Sequence, residues 1–123
     1  MNWLPPWRRL AIYLRDGLAC CWCGLTIEDG IKFTLDHAIA RSAGGDNSSS
    51  NLFTSCLSCN ARRSDDDVAT FALKLSRDFE GEISASEILS HIFQRTHVPI
   101  DAAHAKALIK NRGGFSKALK SCA

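Results

Sequence analysis

The sequence predicts a small α+β domain: two short strands and a helix held between two cysteine knuckles, with a helix before this core and a helical extension after it. Three observations carry that expectation. Cys20-x-x-Cys23 and Cys56-x-x-Cys59 are two C-x-x-C pairs separated by a long interval. Between them, Ile31, Phe33 and Leu35 alternate with Lys32, Thr34 and Asp36, the period-two pattern of a half-buried strand. After the second pair, apolar residues recur at helical spacing.

In chain order, Pro5 and Pro6 mark a helix start, since proline is tolerated in a first turn. Leu10, Ile12, Tyr13 and Leu14 carry that helix to Asp16-Gly17, where Gly17 is the expected stop. Cys20-Cys21-Trp22-Cys23-Gly24 is too tight for regular structure and reads as a knuckle. The strand then ends at Asp36-His37, and Ser42 to Asn51 is a loop by composition. Leu52 to Thr54 is the second strand, and Asn60-Ala61-Arg62-Arg63 opens the helix after the second knuckle.

Three more helices are expected. Ser64 and Asp67 resemble a capping pair ahead of Val68, Phe71, Ala72, Leu75 and Phe79. Ser84 and Glu87 form a capping box ahead of Ile88, Leu89, Ile92 and Phe93. Asp101 caps a last helix with Ala105, Leu108 and Ile109, stopped by Gly113-Gly114. The expected organisation is a core over residues 1–64 and a helical extension over residues 65–123, packed on the core, with a hinge near Ser76 to Glu82.

Composition limits the function classes. The 123 residues suit one domain, or one small core with an extension, whose core is thin enough that reinforcement by metal or disulfide is no surprise. The net charge of +2 is close to neutral, but Lys106, Lys110, Arg112, Lys117 and Lys120 follow Asp101 with no acidic residue among them. Such a basic tail suits phosphate contact, or simply a solvated helix face. No run of about 18 apolar residues is present, so no membrane partner is expected. The first residues lack a secretory apolar region, so a cytoplasmic, intracellular location is expected. In a reducing compartment, paired cysteines point to metal rather than to disulfides.

Zinc takes four tetrahedral ligands and accepts thiolates readily. Two C-x-x-C knuckles supply four, so Cys20, Cys23, Cys56 and Cys59 are the expected structural zinc ligands. Cys21 competes with Cys20, but Cys20 keeps the spacing; Cys122 is expected as a free thiol. A redox dithiol would require a βαβ context that the pattern lacks.

Arg15-Asp16-Gly17-x-x-Cys20-x-x-Cys23-Gly24, Leu35-Asp36-His37, Arg41-Ser42-x-Gly44-Gly45, Asn51-Leu52 and Cys56-x-x-Cys59-Asn60 together resemble the zinc-containing HNH endonucleases, in order as well as in spacing. The resemblance runs from about Arg15 to Arg63. It implies a ββα-metal fold and metal-dependent hydrolysis of DNA, by nicking or, if two copies act as a homodimer, by double-strand cleavage. Small free-standing proteins of this kind occur in bacteria and phages.

The resemblance also implies roles. His37 is the general base, and an imidazole with its ordinary pKa of about 6.5 suits proton abstraction from water. Asp36 and Asn60 bind the catalytic metal, which two oxygen ligands favour as Mg²⁺ or Mn²⁺. Since strand neighbours point to opposite faces, the strand must end or twist for Asp36 and His37 to share a site. Asn51 organises the loop and orients the base. Asn60 makes this an H-N-N variant. Arg41, Arg62 and Arg63 are candidates for DNA phosphate contact. Taken singly, each residue has an ordinary explanation: a surface Asp-His turn, a turn asparagine, a helix cap. Their joint arrangement between the knuckles favours a nuclease site over the alternative, a catalytically silent zinc module that binds DNA or a protein. His91, His97 and His104 are given no chemistry, and Trp3, Trp7 and Trp22 are expected to pack rather than stack on bases.

Overall fold

A two-stranded hairpin buried on both faces organises the molecule. In a computed structural model, which describes residues 3–122, β1 (Phe33–His37) pairs antiparallel with β2 (Leu52–Cys56), Phe33 opposite Cys56 and His37 opposite Leu52. Met1, Asn2 and Ala123, the outer ends of the two expected segments, lie outside the described residues. Strand neighbours face opposite ways. Leu35 and Leu52 thus join Ile12 and Tyr13 in one apolar cluster, whereas Phe53 joins Trp22, Phe71 and Leu75 in another. Every residue of β2 is buried, as expected of a strand covered on both sides. Ile31 and Lys32, read as part of the first strand, precede it.

Helix α1 (Pro6–Arg15) starts as predicted, with Pro6 in its first turn, and Gly17 follows it at a left-handed φ of 76°. Its last residue ties it to the hairpin. Arg15 pairs with Asp16 and donates to the carbonyls of Ser49 and Leu52 at 2.6 and 2.7 Å. Asp16 Oδ2 accepts the Thr54 amide at 2.8 Å. This closed network satisfies the buried charges, without which their burial would be costly.

Helix α2 (Leu57–Arg63) begins three residues before Asn60, because Cys56 caps it: its sulfur accepts the Cys59 amide at 3.3 Å. Helix α3 (Val68–Asp78) is capped by Asp67 alone, through the Thr70 amide at 2.8 Å; Ser64, expected to share that role, closes α2 instead with a φ of 49°. Helix α4 (Ala85–Thr96) carries the predicted capping box at Ser84 and Glu87. Ile88 and Ile92 are buried, but Phe93, read as part of the apolar stripe, is 63% exposed and packs on His97. The Ser76–Glu82 stretch is a hydrogen-bonded turn, with Ser76 Oγ donating to the Ile83 carbonyl at 2.6 Å. Phe71 and Leu75 of α3 and Ile88 and Ile92 of α4, on either side of that turn, share one cluster with the knuckle cysteines, so the turn is not the expected hinge.

Helix α5 (Ala102–Arg112) has the expected Asp101 cap and Gly113 stop. A further helix, α6 (Phe115–Ser121), follows at once. It was not legible because Gly114, at its start, offers no side-chain cap. Ala105 and Ala118 pack against Leu10 and Ala11 of α1. Among the described residues, no helix is long and apolar enough to cross a membrane.

Candidate functional site

The four predicted thiols converge. The first knuckle turns at Gly24, whose φ of 77° suits a residue without Cβ, and the Gly24 amide donates to the Cys20 carbonyl. The Cys21 amide donates to the Thr54 carbonyl, anchoring that turn beside β2. The second knuckle joins the end of β2 to the first turn of α2. As a result the sulfurs of Cys20, Cys23, Cys56 and Cys59 all lie within 4.8 Å of one another, with 3.9 Å between Cys23 and Cys56. Four sulfurs about 2.3 Å from a central zinc stand roughly 3.8 Å apart, so this donor set fits zinc. Hydrogen bonds from the Cys23 and Cys59 thiols draw the Cys20 pKa well down, and the same contacts push theirs up. Cys21 is outside the cluster and burial raises its pKa. Cys122, also outside, donates to the Ala118 carbonyl.

The first knuckle also reaches the second constellation. Trp22 packs edge-on against Phe53 and Phe71 and donates its indole N–H to Asp36 Oδ2 at 3.0 Å. Asp36 Oδ1 accepts from Arg63 Nη1 at 2.7 Å and from the His37 amide at 2.9 Å. Arg63 also donates to the His37 carbonyl at 2.7 Å and the Asp66 carbonyl at 2.9 Å. A carboxylate offers about four acceptor sites. Three are filled here, leaving one on Oδ2.

Because β1 ends at His37, Asp36 and His37 line one polar pocket of about 420 Å³, together with Arg41, Ser42, Arg63 and Asp65. Asn60 does not line it. It lies three residues before Arg63 on α2, and residues so spaced share a helix face. Arg62 turns away, pairing with Asp78 of α3 and lying over the Phe71 ring. Arg41 is exposed at the pocket, whereas Arg63 is buried and directs its donors inward.

Asn51 is committed to the loop. Its Oδ1 accepts the Ile39 amide at 2.8 Å, and its Nδ2 donates to the carbonyls of Ile39 and Asp46 at 3.0 and 2.8 Å. The loop is tight enough that a Cβ at Gly45 would stand 1.8 Å from the Ile39 carbonyl oxygen. The His37 ring has other partners. Its Nε2 lies 2.8 Å from Asn47 Oδ1, and Trp3 stacks on its face at 5.5 Å between centroids. Asn47 lies within a serine-rich polar loop, and nothing in the sequence marked it out.

Two cysteine knuckles, an antiparallel hairpin ending in Asp-His and a helix after the second knuckle make up a ββα arrangement with a four-sulfur cluster placed for zinc. Residues 20–66 match the family model described as HNH endonuclease. No curated protein and no solved structure matches the chain.

Proposed function

We propose that this protein is a metal-dependent DNA endonuclease that hydrolyses phosphodiester bonds one strand at a time, with two copies acting together for a double-strand cut. The observation that carries the proposal is the shared polar pocket of Asp36 and His37 inside the stretch that matches the HNH endonuclease model. His37, at the open end of β1, takes the proton from the attacking water. The remaining acceptor site of Asp36 Oδ2, together with the side-chain oxygen of Asn60, would hold Mg²⁺ or Mn²⁺. When bound, such a cation polarises the scissile phosphate and steadies the leaving 3′ oxygen. Arg41, exposed at the pocket, contacts a phosphate oxygen, and Arg62 does so where its pair with Asp78 opens. Arg63 acts from within, holding Asp36 and the His37 carbonyl in register. Asn51 keeps the loop between the strands closed against β1. The thiolate cluster holds structural zinc and fixes the hairpin to α2. Residues 65–123 form the extension that sets where the enzyme sits on DNA, with basic residues of α5 and α6 along the backbone.

The test is incubation of zinc-loaded protein with supercoiled plasmid and Mg²⁺. Open circles carrying 5′-phosphate and 3′-hydroxyl ends are expected, because the 3′ oxygen leaves. The buried Arg63–Asp36 pair favours the second reading, a silent zinc module that binds DNA or a protein, since it already neutralises the carboxylate. Plasmid left intact, though bound, would establish that reading and remove the first.

A further inference from the structure

We propose that Asn47, braced by the N-terminal segment through Arg8 and Trp3, is the positioning residue for the His37 imidazole. The sequence resemblance gives that task to Asn51, but Asn51 has no donor left for it. Both hydrogens of its amide nitrogen are directed to the Ile39 and Asp46 carbonyls, and its oxygen takes the Ile39 amide. A primary amide has only two N–H donors. Asn47 presents its oxygen to His37 Nε2 at 2.8 Å. An amide oxygen accepts and does not donate, so Nε2 carries the ring proton and Nδ1 keeps the lone pair a base requires. Among the described residues, Nδ1 has no hydrogen-bond partner.

Asn47 is itself held from outside the HNH match. Arg8 of α1 donates from Nη2 to the Asn47 carbonyl at 2.9 Å. Trp3 lies nearly parallel to the imidazole, at an interplanar angle of 22°, and blocks rotation of the ring towards that side. The edge and one face of the ring are thus fixed by residues 3–8 and the loop they brace, while α1 is tied to β2 through Arg15 and Asp16. The N-terminal segment is therefore part of the machinery that aims the base, and not only a cover for the core. The inference depends on the nuclease reading only for the use to which the aimed nitrogen is put.

The test is a ¹⁵N-resolved proton spectrum of zinc-loaded, histidine-labelled protein at mildly alkaline pH, with His37 assigned by its loss in His37→Gln. A hydrogen-bonded Nε2–H signal is expected in the parent and in Asn47→Asp, which keeps an acceptor, and its disappearance is expected in Asn47→Ala. In the nicking assay, Asn47→Ala is expected to lower kcat about 10- to 100-fold with KM unchanged, and Asn47→Asp to recover most of it. Trp3→Ala should lower kcat in the same sense and Trp3→Phe restore it. An Nε2–H signal that persists in Asn47→Ala, or is missing from the parent, overturns the proposal. So does an Asn47→Ala protein that cuts at the parent rate. A protein that cuts no DNA would remove the nuclease reading alone, since the imidazole signal reports on Asn47 without turnover.

Discussion

Asp36 combines two duties that pull against each other. Its carboxylate is buried against Arg63, with both side chains less than a tenth exposed, yet the proposed reaction requires one of its oxygens to remain available to a cation. Removing one partner of a buried pair leaves the other charge without compensation. Arg63→Ala is therefore expected to lower unfolding free energy by about 3–5 kcal/mol, read as a lower urea midpoint; a midpoint equal to the parent's would show that the pair contributes nothing. At this scale the sequence was partly legible. Cysteine spacing separated Cys20 from Cys21, because a zinc knuckle imposes a local geometry. The partners of His37 and Asp36 were not legible. Asn47, Trp3 and Trp22 take their roles from contacts across the fold, and a tryptophan in a knuckle looks the same in sequence whether or not its N–H meets a carboxylate.

The elements follow local chemistry wherever caps and periodicity are strong. The Ser84–Glu87 box, the Asp101 cap and the Gly17 stop all appear where the residues put them. The misses have local causes too. Cys56 starts α2 early by lending its sulfur as a cap, which no rule for oxygen caps anticipates. Phe93 fits the period of α4 yet stays exposed, since α3 covers only the Ile88–Ile92 side. The α3 cap also has a pH signature. The Thr70 amide, donating to Asp67, holds that carboxyl below its ordinary pKa. A depressed native pKa contributes stability above the unfolded value of about 3.9 and loses it as pH falls through the lower native one. Asp67→Asn, which keeps the cap without the charge, is expected to flatten the acid limb of the stability curve; an unchanged limb would contradict this role.

Across the whole molecule, the hairpin has α1 and the edge of α6 on one face and α3 and α4 on the other, α5 packs on the outer side of α1 and α6, and the four-cysteine cluster lies at the junction of the hairpin and α2. Sequence periodicity showed that α1, α3, α4 and α5 exist, but neither α6 nor which face each helix covers, because amphipathic stripes do not name their partners. Since the cluster cysteines belong to the same apolar group as Phe53 and Phe71, zinc removal should be felt beyond the knuckles. Chelation, or Cys56→Ser, is expected to lower the melting temperature and release the metal, whereas Cys21→Ser should retain zinc, as elemental analysis of each protein would report. Zinc lost from Cys21→Ser and kept by Cys56→Ser would reverse the ligand assignment.

In the proposed reaction, His37 activates water in a pocket it shares with Asp36. Single-turnover nicking of the same plasmid by the parent and by His37→Ala, both zinc-loaded and with Mg²⁺ present, isolates that step. The rate is predicted to fall about 10²- to 10⁴-fold in the variant while DNA binding is retained; equal rates in the two proteins would contradict the assignment.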